Sequence, residues 1–113
     1  MAEQQTWGPW PAKVLDVHDG DTMRLDIDLG FDLSIKMSCR VYGINAPELN
    51  TDAGKEARDY AQTLVHVGDT VRVLSHGWDK YGGRFDGTVW LADGTEFNQT
   101  MLDTGHAVVL DIK

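Results

Sequence analysis

Cysteine is nearly absent from this chain. Cys39 stands alone among 113 residues, which excludes an intramolecular disulfide framework and a cysteine-built zinc cluster. Long hydrophobic runs are missing as well. No stretch of about 18 apolar residues occurs, so no membrane-spanning helix is expected. Basic residues are scarce, with 10 Lys and Arg against 18 Asp and Glu. The resulting net charge of −8 excludes a protein that coats nucleic acid by long-range attraction. It is compatible with an enzyme whose local site turns cationic once a metal ion and arginines are counted. Residues 1–11 are polar and then Trp- and Pro-bearing, with neither the basic region nor the apolar centre of a secretory leader. They are expected to form a tail before a single domain over residues 12–113, and the compartment stays open.

What is present is alternation. Val14 and Val17 mark a strand over residues 12–18 that runs into Asp19-Gly20. Met23, Leu25, Ile27 and Leu29 alternate with Arg24, Asp26 and Asp28. After Gly30 the period of two resumes, with Leu33, Ile35, Met37, Cys39 and Val41 on one face. Two such runs joined at Gly30 predict a long antiparallel hairpin with one covered face, and Cys39 falls on that face as a buried thiol. A helix follows, capped by Thr51 or Asp52, with Ala57, Tyr60, Ala61 and Leu64 at helical spacing. Strands over residues 71–74 and 87–92, the second around Val89 and Leu91, a short helix near Phe97–Leu102 and a last extended piece at 107–110 complete the order. Three strands, a helix, two strands and a short helix predict an α+β, mainly β fold. It is a five-stranded OB-fold barrel with its main helix between strands three and four.

Three short segments carry chemistry. Asp19-Gly20-Asp21-Thr22 is either a turn in which Gly20 takes a positive φ or a site where Asp21 ligates a hard cation with Asp19 behind it. Arg40 ends a polar strand face, and its planar fork suits a phosphate as well as an aspartate partner. In Asn45-Ala46-Pro47-Glu48, the proline disfavours a helical Ala46 and can expose its carbonyl, with Glu48 just beyond the loop. Asp79-Lys80-Tyr81-Gly82-Gly83-Arg84 lies on a glycine-rich connection. His18, His66, His76 and His106 share no metal-ligand spacing and read as scattered surface or half-buried side chains. Trp7, Trp10, Trp78 and Trp90 read as packing residues, with Trp78 the best candidate for stacking a base.

These segments, in this order from Val14 to Leu110, resemble the staphylococcal nuclease (thermonuclease) family. The resemblance implies an OB-type barrel and a calcium-dependent endonuclease that cuts DNA and RNA and leaves 3′-phosphate ends. It implies metal ligands at Asp21, Asn45 and the Ala46 carbonyl, catalytic roles for Arg40, Glu48 and Arg84, and contacts from Lys80 and Tyr81 to terminal phosphates. The chain departs from the pattern at two points. Asn45 stands where an aspartate is usual, so calcium is expected to bind less tightly. An extra glycine, Gly83, separates the Lys-Tyr-Gly run from Arg84. The expected partner is nucleic acid, no membrane is involved, and the protein is expected to be a monomer. The alternative from another class is a non-catalytic OB-fold module that binds nucleic acid or protein through the same face.

Overall fold

In the computed structural model, residues 5–110 are described. Residues 1–4 of the expected tail and 111–113 of the expected domain lie outside that range. The elements are β1 (Trp7–Asp19), β2 (Thr22–Gly30), β3 (Leu33–Val41), β4 (Ile44–Asn45), α1 (Asp52–Leu64), β5 (Thr70–Trp78), β6 (Arg84–Trp90), α2 (Phe97–Asp103) and β7 (Val108–Val109). Five strands close into a barrel in the order β1-β2-β3-β6-β5, and β4 pairs with β7 as a separate ribbon. The architecture is the mainly β, five-stranded barrel with two helices that the sequence predicts. Every barrel pairing is antiparallel except β3 with β6, which is parallel and places Ser38 opposite Arg84 and Arg40 opposite Asp86.

The alternating apolar residues fill the barrel. Val14, Met23, Leu25, Cys39, Val41, Val73 and Val89 are all buried. Helix α1 closes one end. Thr51 caps it by accepting the Gly54 N–H at 3.0 Å, and Ala57 and Ala61 are its buried face. Gln62 pins it to the barrel by donating to the Val17 carbonyl at 3.1 Å. Phe97 and Met101 of α2 complete the same core.

The other end of the barrel differs from expectation in two ways. Strand β1 begins at Trp7 rather than Ala12, so described residues of the expected tail pair with β5 through Trp7–Ser75, Trp10–Val73 and Pro11–Arg72. Prolines argue against a strand. Here Gly8, at φ 103°, and a register shift between Trp7 and Trp10 absorb Pro9 in a bulge. The β2–β3 hairpin also outruns the barrel. Its two-residue tip, Phe31-Asp32, has both φ values positive, as a tight hairpin turn requires. The inward-alternating Leu33 and Ile35 are therefore 61% and 40% exposed. The period of two assigned them to the covered face, but no element reaches far enough to cover them.

Candidate functional site

The turn between β1 and β2 brings Asp21 to the wall of a cleft. Gly20 does this by close approach, not by a positive φ. A Cβ there would stand 2.8 Å from the Ala46 Cβ and 3.0 Å from the Ala57 Cβ, so only glycine lets the turn, the Ala46 loop and α1 meet. Asp21 Oδ2 then accepts the Ala46 N–H at 2.8 Å, Oδ1 accepts the Thr22 hydroxyl at 3.2 Å, and the Asp21 N–H donates to Asp19 Oδ1 at 3.0 Å. Burial first, and the neighbouring Asp19 second, push the Asp21 carboxyl above its ordinary pKa, against the Ala46 amide and Arg40.

Arg40 comes from the end of β3 and is held on several sides. Nη1 donates to the carbonyls of Val41 and Ile44 at 3.1 and 2.8 Å, and Nη2 donates to Asn45 Oδ1 at 3.3 Å. Nη1 lies 3.5 Å from Asp21 Oδ2. The guanidinium is thus aimed by backbone carbonyls before any ligand arrives.

Glu48 is placed by its own main chain. The Glu48 carbonyl accepts both the Thr51 N–H at 3.0 Å and the Thr51 hydroxyl at 2.6 Å. Gly54 packs directly beneath it: a Cβ at Gly54 would overlap the Glu48 carbonyl oxygen and come within 2.9 Å of the Leu49 Cα. The Glu48 main chain is therefore tethered to the first turn of α1, and its side chain is exposed.

Arg84 opens β6. Its Nε donates to Asp79 Oδ2 at 2.7 Å, and its carbonyl accepts the Asp79 N–H at 2.9 Å. Burial works against charge on Asp79, but the Arg84 hydrogen bond and charge prevail and hold its carboxyl below the ordinary range. Lys80 and Tyr81 occupy the exposed turn above, with the Lys80 Nζ 5.2 Å from the Tyr81 ring centre. The parallel β3–β6 pairing puts Arg40 and Arg84 on the same outer face, about 6–7 Å apart along the strands.

One cleft of about 940 Å³ unites these groups. Asp21, Arg40, Asn45, Ala46, Glu48, Lys80, Tyr81 and Arg84 all line it. The expected ligand donors are a carboxylate, an amide oxygen and a backbone carbonyl, an all-oxygen set of the kind hard divalent cations take. Burial is the first cause of the raised Asp21 pKa, and a cation beside the carboxylate would favour its charged form. The set fits such an ion while relying little on formal charge. Among the described residues no three His, Cys, Asp or Glu side chains cluster as a ready-made metal site.

Sequence reasoning overlooked part of the cleft. Asp86 lies opposite Arg40; burial and Asp79 raise its pKa, and Arg40 and Arg84 draw it down. His76, read as scattered, also lines the cleft. It stacks on Tyr42 with ring centres 3.8 Å apart and meets the Thr88 hydroxyl at 2.9 Å through Nε2. The alternation of Arg84, Asp86 and Thr88 against Phe85, Gly87 and Val89 was the available signal.

Residues 38–113 match the family described as staphylococcal nuclease homologue. The chain belongs to the staphylococcal nuclease family. Two relatives, one from Escherichia coli O157:H7 and one from Escherichia coli, are each named an uncharacterized endonuclease. Each is 34% identical to this chain over 109 residues, covering 90% of the chain and 67% of the relative. The matched staphylococcal nuclease region begins within β3 and takes in Arg40, the Asn45–Glu48 loop and Arg84. The relatives' alignment, at 90% of the chain, is longer than that match.

Proposed function

We propose that this member of the staphylococcal nuclease family is a calcium-dependent endonuclease that hydrolyses phosphodiester bonds of DNA and RNA and leaves 3′-phosphate ends. The observation that carries the reading is the single cleft on which Asp21, Arg40, Glu48 and Arg84 meet. The names of the Escherichia coli relatives support the same class of activity.

Asp21, the Asn45 Oδ1 and the Ala46 carbonyl would hold the ion. When bound, calcium supplies a fixed positive charge beside the scissile phosphate. Glu48, exposed at the cleft edge, takes the proton from the attacking water as general base. Arg40 and Arg84 neutralise the non-bridging oxygens and favour the crowded, more negative transition state over the ground state. Arg84 is the less enclosed of the two, its side chain 32% exposed against 13% for Arg40. It can therefore leave Asp79 and follow the phosphorus centre toward the 5′-oxygen, whose bond to phosphorus breaks as the water oxygen adds and which takes its proton from a water held there. Lys80 and Tyr81 receive a terminal phosphate. The net charge of −8 leaves affinity to these local cationic groups.

The second reading, a binding module without catalysis, draws on Asn45, which contributes an amide where a carboxylate would bind calcium more tightly. One assay separates the two. Supercoiled plasmid and single-stranded DNA are incubated with the protein in calcium or in chelator. Cleavage in calcium alone is expected, and Glu48→Gln and Arg84→Ala each lower the rate by about 10²–10⁴-fold with the fold intact by circular dichroism. Absence of calcium-dependent cleavage favours the binding module, and full activity in both variants removes the mechanism assigned to Glu48 and Arg84.

A further inference from the structure

Beyond the cleft, the open end of the barrel carries an apolar groove of about 250 Å³. Trp7, Trp10, Trp78, Phe85, Leu29 and Ile35 form its walls, and no charged side chain among the described residues lines it. Trp7 is 43% exposed and Trp78 70% exposed. Large exposed aromatics around a concave apolar surface mark a binding site more often than a packing accident.

The groove adjoins the cleft at one residue. Trp78 is a wall of both. The strands explain why. Trp78 is followed by Asp79, which holds Arg84, and Trp78 is the cross-strand partner of Phe85. Within β6, Arg84 faces the cleft and Phe85, the next residue, faces the groove. A strand whose phosphate sits at Arg84 therefore brings the neighbouring base to the rim formed by Trp78. The charge balance points the same way. A chain of net charge −8 gains little from long-range attraction to a polyanion, so contact with the uncharged bases adds to what the local cationic groups of the cleft supply.

We propose that this indole-lined groove is a base-stacking subsite for an unpaired nucleotide flanking the scissile phosphate of a single-stranded nucleic acid. This rests on the endonuclease reading of the cleft. Every nucleobase has a π-face, so the subsite accepts any base, but only one already out of a duplex stack.

The test uses the full chain and two strands of equal length, oligothymidylate and an abasic strand with the same phosphates. In chelator, tryptophan quenching is expected to report at least tenfold tighter binding of oligothymidylate, at the low end of what one stacked base contributes. Trp78→Ala and Trp7→Ala each shrink that ratio toward one, and Trp78→Phe restores part of it. Arg84→Ala weakens both strands alike. Trp78 is exposed enough that its replacement leaves the fold in place, which circular dichroism checks. Equal binding of the two strands, or a ratio untouched by Trp78→Ala, overturns the subsite. Cleavage in calcium, measured on the same strands, separates the two failures. A nuclease that cuts both strands equally loses only the subsite, whereas a protein that cuts neither loses the endonuclease reading. Sedimentation in which wild type is a dimer and Trp78→Ala a monomer assigns the groove to a second copy of the chain and also overturns the proposal.

Discussion

Gly54→Ala sets two physical effects against each other. Glycine inside a helix ordinarily costs about 0.8–1.0 kcal/mol relative to alanine, so the substitution should stabilise α1 by up to that amount. Gly54, however, lies under the Glu48 carbonyl. An added Cβ overlaps that oxygen and stands 2.5 Å from the carbonyl carbon and 2.9 Å from the Leu49 Cα. These are backbone atoms, tied by the hydrogen bonds from the Thr51 N–H and hydroxyl to the Glu48 carbonyl, so no rotamer change relieves the contact. Overpacking of this kind costs about 1–3 kcal/mol, and an overlap with fixed backbone belongs in the upper part of that range, so set against the propensity gain it leaves a net loss of up to about 2 kcal/mol. The loop must shift away from α1 by about 1 Å, a misplacement that lowers the rate by about 10²-fold when the displaced group is catalytic. Urea unfolding and initial cleavage rates in calcium measure the two consequences separately, with Lys55→Ala on the exposed face as control. A Gly54→Ala protein as stable as wild type, with an unchanged rate, would refute the claim that this close approach places Glu48.

The remaining predictions concern the metal wall, the core and His76. Asn45→Asp adds a negative charge to the proposed ligand set and should lower the calcium concentration for half-maximal activity on the order of tenfold; a calcium titration of cleavage rate reads it. Gly87→Ala would bring a Cβ within 2.8 Å of Cys39 Sγ, 2.9 Å of the Phe85 ring and 3.0 Å of the Val73 side chain. It should destabilise the barrel by about 1–3 kcal/mol in urea unfolding. Burial holds the pKa of His76 below its ordinary 6.5. The unfolded chain therefore binds a proton first, and stability present above pH 6.5 is lost as pH falls toward the folded value. The loss in denaturation midpoint between pH 7.5 and 5.5 should be smaller in His76→Gln than in wild type; identical slopes would remove His76 as a contributor.

The parts of the fold legible in the sequence were those with a local period. Met23 to Leu29 and Met37 to Val41 announced strands, and Ala57, Tyr60, Ala61 and Leu64 announced α1, because burial on one face repeats at the spacing of the backbone. What escaped depends on partners distant in sequence. Leu33 and Ile35 alternate just as Cys39 does, and only the length of the neighbouring strands decides that they stay exposed. The β4–β7 ribbon is two residues a side, too short for any period, and the prolines hid the start of β1. In the cleft, Asp21, Arg40, Asn45, Ala46, Glu48 and Arg84 were visible as short motifs. Asp86 and His76 were not, because an acid and an imidazole in a strand gain meaning only from the arginine opposite and the tyrosine stacked beneath.

The sole parallel pairing among the described barrel strands has one more consequence. Strands β3 and β6 meet only after the chain has passed through α1 and β5. The arginine-bearing face is therefore created by the seam that finishes the ring, and a half-built barrel carries only one side of it. Recovery of enzymatic turnover during refolding would then report closure itself, while circular dichroism would register the earlier, local hairpin and helix.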